Sequence, residues 1–282
     1  MKITEHIHSL SIPFKITMPD GYSIDRSVNV FILIGKHIIL IDTGVAGSDE
    51  KIFDYIRSIG RKPEEIKYVL LTHTHPDHVG ALSNIKAATG CKIAVHTSEK
   101  EWLENNELQF AERPVPGFHF LVGESCKADI LLNDGDILEY DKELHLKVYH
   151  CPGHSTGSVA FLLHQDNALI TGDAIPAKNQ IPIYDDWKTC LASLEKIENL
   201  PYSEVLLSSW APAVTGENVD IAISDGFEVL YAVHQAFIEA TKNSKSADIN
   251  EIAKEVLEKM GLSSEVVNPL FVRALKSNYK YV

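Results

Sequence analysis

Cysteine is scarce in this chain of 282 residues, and its spacing suggests no pairing. Cys91, Cys126, Cys151 and Cys190 stand far apart, without a CxxC pair. Disulfide frameworks belong to oxidising compartments, so the expectation is reduced thiols in a cytoplasmic protein. Long apolar runs are missing too. No stretch approaches the roughly 20 residues of a membrane span, which argues against a membrane partner. The opening MKITEHIHSL lacks the apolar centre of a signal peptide. Basic clusters are also absent. Lys and Arg number 26 against 39 Asp and Glu, a net charge of −13. Nucleic-acid binders present a basic face, so a nucleic-acid partner is excluded as an expectation. There is no internal repeat and no low-complexity segment.

What is present suits an ordinary globular protein. Apolar residues make up 45% and charged residues 23% of the chain, enough to bury a core without staples. Residues 28–41, VNVFILIGKHIILI, read as a hairpin around Gly35-Lys36. A helix with Ile52, Phe53, Ile56 and Ile59 on one face follows, closed by Gly60. KYVLLT is a buried strand, VGALSNIKAAT a helix ended by Gly90, and CKIAVH the next strand. This alternation favours α/β layers. Residues 106–128 hold two prolines, two glycines and no period, which reads as a long loop of the kind that covers sites. Short strands run from 129 to 171, then a helix from about Trp187 to Asn199, then the strand EVLLSS. Two sheets packed face to face with helices outside would fit that order. The tail changes character. FEVLYAVHQAFIEA places Phe227, Leu230, Tyr231, Phe237 and Ile238 on one helical face. DINEIAKEVLEKMG opens on a capping box of Asp248 and Glu251. Asn268 and Pro269 open a further helix. The division expected is 1–216 for the layered domain and 217–282 for a helical extension.

The chemistry concentrates in YVLLTHTHPDHVGALSNI, Tyr68 to Ile85. YVLL must be buried, so the cluster behind it sits where a strand leaves its sheet, an edge that commonly forms a pocket. His73 and His75 are two apart and project to one side in extended chain. Asp77 and His78 follow the turn-forming Pro76. Imidazole and carboxylate ligate zinc and similar divalent ions, so this spacing points to metal binding rather than to a polar surface loop. His154 in HCPGHSTGS and Asp173 in LITGD also stand at strand ends. Either alone would be ordinary turn chemistry; repetition gives them weight.

These motifs resemble the metallo-β-lactamase superfamily. HTHPDH matches its HxHxDH, CPGHSTGS its PGH segment, TGD its bridging-aspartate segment, and LIDTG its early Asp-Thr/Ser-Gly motif. The resemblance spans roughly residues 25–215. It implies a four-layer αβ/βα sandwich of two mixed sheets with outer helices and the metal site at the strand ends. It implies His73, His75 and His154 as one metal site, Asp77 and His78 as part of a second, Asp173 bridging, and Asp42 in support. One position departs from the family. Where a Gly-His pair is common, this chain has SSWAP, with Trp210 in the histidine's place. An indole N–H only donates, so the second site is expected to be weaker, with water or a serine (Ser208 or Ser209) filling in.

The implied chemistry is hydrolysis of a small-molecule ester, thioester, lactone, amide or phosphoester. A divalent cation in an open site lowers the pKa of bound water to about 7, and Asp77 would orient that water or take its proton. Zinc is the first choice of metal, with iron and manganese as alternatives. Two other readings stand beside the hydrolase: a metal-binding sensor without turnover, and a mononuclear-iron enzyme like the persulfide dioxygenases. A homodimer is compatible with the sequence. Bland roles are expected for the other polar residues. Asp185 or Asp186 caps a helix, His96 and His234 are structural, Cys151 is a buried small residue, and His119 either faces a substrate or packs among the aromatics of its own segment. A supporting role near the site is open to His150.

Overall fold

The computed structural model describes residues 1–17, 23–140, 144–201, 203–243, 248–265 and 267–281. Twelve strands form two six-stranded sheets among the described residues. The first sheet holds β1 (Ile7–Thr17), β2 (Ser23–Ile34), β3 (Ile38–Ile41), β4 (Ile66–Leu70), β5 (Lys92–His96) and β6 (Ile130–Leu132), in that order. The second holds β7 (Ile137–Glu139), β8 (His145–His150), β9 (Val159–Leu163), β10 (Ala168–Gly172), β11 (Val205–Ser208) and β12 (Val214–Thr215), again in chain order. The hairpin expected around Gly35 is the β2–β3 pair, Phe31 facing Ile41. An eleven-residue partner, β1, lies along β2.

The period of two along each strand decides which layer a side chain enters. On β3, Ile39 and Ile41 enter the core between the sheets, while Ile38 and Leu40 enter the core under the outer helices. On β9, Val159, Phe161 and Leu163 face the other sheet, while Ala160 and Leu162 face outward under helices. Both strands are buried throughout, which is why they read as unbroken apolar runs. The first outer layer is α1 (Asp49–Ser58), with Ile52, Phe53 and Ile56 buried, and α3 (Leu82–Thr89). Between them α2 (Pro76–Val79) is a single turn. The second outer layer contains α7 (Trp187–Glu198), whose N-cap is Asp186, its Oδ1 accepting from Thr189 N at 3.0 Å. Two sheets sandwiched between helices are the α/β architecture expected.

Among the described residues, three α-helices lie in the tail: α8 (Asn218–Asn243), α9 (Ile249–Lys259) and α10 (Pro269–Asn278). They share one core with α7, built on Trp187, Leu194, Leu230, Phe237, Val256 and Phe271. Asn268 caps α10 as expected, accepting from Leu270 N at 2.8 Å. Two details differ. Tyr231 is half exposed, because one residue along a helix turns about 100° away from Leu230. At α9, Asp248 accepts from Asn250 N at 2.9 Å, and the Glu251 carboxylate pairs with Lys254 at 2.8 Å.

Residues 106–128 also differ from expectation. They hold α5 (Asn106–Glu112) and α6 (Phe118–Leu121), preceded by α4 (Lys100–Glu104). Asn105 caps α5 through its side chain, which accepts from Leu108 N at 3.1 Å. Helices of one or two turns are too short to show a period, and contacts to the rest of the protein hold them. Among the described residues no helix is long and apolar enough to cross a membrane.

Candidate metal centre

Strand direction gathers the site. β3, β4 and β5 run parallel, so the residues that follow them emerge at one edge. In the other sheet β8 and β10 each run antiparallel to β9, and β11 runs parallel to β10. The C-terminal ends of β8, β10 and β11 therefore also meet at one edge. A bond from Val159 N to Thr72 O at 2.8 Å stitches the two sheets together there. Gly172 takes φ +56°, and a Cβ there would lie 2.7 Å from Thr72. Only glycine lets β10 pass this close and deliver Asp173 to the same spot.

His75 is the N-cap of α2 and Pro76 its first residue, a position that suits a fixed φ and a missing N–H. This single turn brings His78 back beside His73, their ring centroids 3.9 Å apart. His73, His75 and His154 form one group, and His73, His78 and Asp173 another. Within each group the candidate ligand atoms lie within 4.8 Å of one another. His154 Nε2 is 2.9 Å from His75 Nδ1 and 3.3 Å from Asp173 Oδ2. His78 Nε2 is 3.5 Å from Asp173 Oδ1 and 3.6 Å from Asp77 Oδ2. Asp77 thus borders the second group without being one of its three members.

All these imidazoles are buried, and buried polar atoms are normally paired. Four here are not: His73 Nε2, His75 Nε2, His78 Nε2 and Asp173 Oδ1. Such a concentration of orphaned nitrogen and carboxylate atoms, on residues whose candidate ligand atoms cluster within 4.8 Å, fits a divalent cation of the zinc type. Burial holds His73 and His75 well below the ordinary histidine range, which keeps their lone pairs free. Burial also opposes charge on His78, but Asp173, Asp77 and Asp42 outweigh it and lift its pKa well above that range. For Asp173 burial is likewise outweighed, by His78 and His154, and its carboxyl stays well below its usual range.

The surrounding residues hold this group in place. Asp42 leaves β3 with φ 61°, a left-handed conformation that costs a non-glycine residue about 1 kcal/mol or more. Its Oδ1 accepts from Thr72 N at 2.8 Å. Its Oδ2 accepts from Thr72 Oγ1 at 2.7 Å and meets His78 Nδ1 at 2.8 Å. That contact orients the His78 ring, the support the sequence motif implied. His154 Nδ1 is similarly tied to Ile183 O at 2.8 Å. Trp210 stands at the rim, its indole donating to Asp173 Oδ2 at 2.7 Å. Ser209 is buried with an unpaired hydroxyl.

Several supporting residues were missed by sequence reasoning. Buried Glu99 accepts from Thr74 N at 2.6 Å, Thr74 Oγ1 at 2.8 Å and Gly157 N at 2.8 Å. It clamps the loop of His73 and His75 to the loop of His154. Gln109 donates to Thr74 O at 2.6 Å. Trp102 lies with its ring 6.4 Å from His75. Nothing in the order of these residues along the chain separates them from any other polar or aromatic side chain.

Other candidates lie elsewhere. His150 stacks on His96 at 3.9 Å and bonds Thr156 O, away from the metal-competent group. His96 Nδ1 accepts from Ser98 N at 3.3 Å. His119 pairs with exposed Glu107 and packs against Phe110 and Phe118. Cys151 is buried and its thiol is pushed up to about 12.

Residues 24–210 match the sequence profile of the Metallo-beta-lactamase superfamily, and the chain belongs to that superfamily. A Bacillus subtilis protein named "Probable metallo-hydrolase YqgX" is 30% identical over 193 residues, 64% of this chain and 83% of that protein. A hydroxyacylglutathione hydrolase of Pelagibacter ubique is 26% identical over 147 residues, 52% of each chain. Among solved structures, a metallo-beta-lactamase family protein of Thermus thermophilus superposes with a TM-score of 0.72 at 22% identity. That match covers 97% of this chain and 92% of the other. The likeness extends through the helical tail, and at that identity it speaks for the fold.

Proposed function

We propose that this chain is a metal-dependent hydrolase of a small-molecule ester, thioester, lactone, amide or phosphoester. The observation that carries this reading is the clustering of His73, His75, His78, His154 and Asp173, with orphaned buried atoms on His73, His75, His78 and Asp173, at the edge where both sheets end. His73, His75 and His154 would hold one cation; Asp77, His78 and Asp173 would hold a second. Zinc suits the donor set best, with iron and manganese compatible. When bound, such a cation lowers the pKa of water toward about 7 and polarises a carbonyl or phosphoryl oxygen.

The chain's own residues supply the rest. Burial, only partly offset by His78, lifts the Asp77 carboxyl above its ordinary range. That makes it a better proton acceptor, suited to orienting the attacking water and taking its proton. Trp210 holds Asp173, and Asp42 holds His78, so little reorganisation is needed on binding. The relatives named as hydroxyacylglutathione hydrolases support the thioester within this range. A protein of this charge in the cytoplasm, acting on small molecules and not on nucleic acid, is consistent with the reading.

The test is hydrolysis of S-lactoylglutathione, 4-nitrophenyl acetate, a γ-lactone and bis-4-nitrophenyl phosphate by the zinc-loaded protein. Turnover of at least one, lost in Asp77→Asn while the cation of His73, His75 and His154 is retained, is the expected result. No turnover of any with zinc, iron or manganese would favour metal binding without catalysis, the reading to which the indole at 210 gives some weight.

A further inference from the structure

Arg113, at the end of α5, is a buried cation beside the metal-competent histidines. It is 3% exposed, and its Nε–H finds no hydrogen-bond acceptor. The carboxylate of Asp185 lies 3.7 Å from that nitrogen, beyond hydrogen-bond distance. Asp185 Oδ1 is already taken by Arg273 Nε at 2.7 Å, and Arg273 also bonds Glu112 O at 2.9 Å. Two guanidinium groups thus share one carboxylate, and its hydrogen bond goes to Arg273, which leaves the Arg113 Nε–H without an acceptor.

The position of Arg113 is fixed from both sides. One helical turn before Arg113, Gln109 bonds the carbonyl of Thr74, between His73 and His75. On the other side, Asp185 lies two residues beyond Ile183, whose carbonyl holds His154. The guanidinium charge reaches His75, where after burial it is the strongest influence against protonation. Asp185, Asp77 and Glu99 are the carboxylates that face it. Asp77 and Glu99 have other work, the first at the metal-competent group and the second on three donors of its own. Burying a guanidinium with an unmade hydrogen bond costs folding free energy, and such groups call for an explanation.

We propose that Arg113 is the substrate-recognition residue of this site, binding a carboxylate or phosphate group that the substrate carries near its hydrolysed bond. The planar guanidinium matches either oxyanion, which a lysine would not do equally well. This deepens the hydrolase reading: the substrate becomes an acyl or phosphoryl compound with a second, anionic group.

The test measures binding rather than turnover, so it stands apart from the hydrolase assay. Glutarate, dimethyl glutarate and inorganic phosphate are titrated calorimetrically into zinc-loaded wild type, Arg113→Met and Arg113→Lys, with zinc content and far-UV circular dichroism checked for each. Glutarate or phosphate should bind wild type, dimethyl glutarate should not, and Arg113→Met should weaken the anion about 10- to 100-fold. The stronger of the two anions names the preferred group. Arg113→Lys should lose less, and it carries the test if Arg113→Met fails to fold. Equal affinity in wild type and in the folded variants would mean that the metal alone takes the anion, and would overturn the proposal. So would the absence of anion binding in wild type. Anion binding that depends on Arg113 in a protein without turnover would sink the hydrolase reading and leave this one standing.

Discussion

Histidines are packed in two regions of this protein, half-buried in the helical tail and buried at the strand ends, and they are treated in opposite ways. In the helical tail His234 stacks on Trp187 at 4.0 Å and meets Asn278 Oδ1 at 2.7 Å. Asn278 in turn donates to Tyr184 and to Ala274 O. That imidazole belongs to a completed network, and its work is packing. At the strand ends His73, His75 and His78 each keep one ring nitrogen buried and unpaired. The same side chain is hydrogen-bonded and stacked in one place and left open in the other. Burial of a histidine alone says little about function, since His96 is buried as well with its Nδ1 bonded; the unpaired buried atom is what points to a ligand.

The comparison can be broken most directly by removing one histidine from each region. His75→Ala should lose most of the bound metal, since a tetrahedral site rarely survives loss of a ligand. His234→Ala should keep its metal and instead lose about 1–3 kcal/mol of stability, from an unmade hydrogen bond and a vacated stack. Elemental analysis and chemical denaturation read the two effects. Undiminished metal in His75→Ala would end the distinction.

A smaller effect is expected one step from the open histidines. Glu99 accepts three hydrogen bonds that join the two loops. Glu99→Gln turns a donor toward donors. Metal affinity should fall about 10- to 100-fold, as for other residues that orient ligands, while far-UV circular dichroism stays unchanged. Metal competition against a chromophoric chelator measures it; unaltered affinity would make Glu99 a packing residue.

Trp210 sharpens the comparison within the site itself. Its indole occupies Asp173 Oδ2 but cannot ligate. One metal should survive dialysis against a weak chelator in wild type, and the second should be lost or partial. Trp210→His should raise the second occupancy toward one. Two tightly held metals in wild type would mean that water or Ser209 suffices.

The smallest expected effect concerns pH, at a histidine of the closed kind. Burial, and then the neighbouring His150, lower His96 to about 4. Its unfolded value is near 6.5, so the neutral form stabilises the fold above that value. The contribution is lost as pH falls from 6.5 toward 4. Protonation would also remove the bond that Nδ1 accepts from Ser98 N. Discounted for nearby solvent, the loss is about 1 kcal/mol, or about 2–4 °C in melting temperature. His96→Asn, whose side chain can still accept from Ser98 N, should show a shallower decline over that window. An identical decline would place the acid sensitivity elsewhere.

The sequence by itself determined strands such as β3 and β9, because they are unbroken apolar runs that suit a strand buried on both faces. It determined the helix ends at Gly60, Gly90, Asp186 and Asn268, because caps and left-handed glycines are local chemistry. It marked His73, His75, Asp77, His78, His154 and Asp173, because each follows an apolar run that has to end at a sheet edge. The tertiary structure alone decided the rest. Asp77 borders a group in which His73 serves twice, since ring directions depend on the single turn of α2. Residues 106–121 are short helices over the histidines because Gln109 reaches Thr74, a contact 35 residues away in sequence. Glu99 and Arg113 carry no local signal at all. What distinguishes them is which donors and acceptors lie opposite once the sheets have closed, and that depends on neighbours far away in the chain.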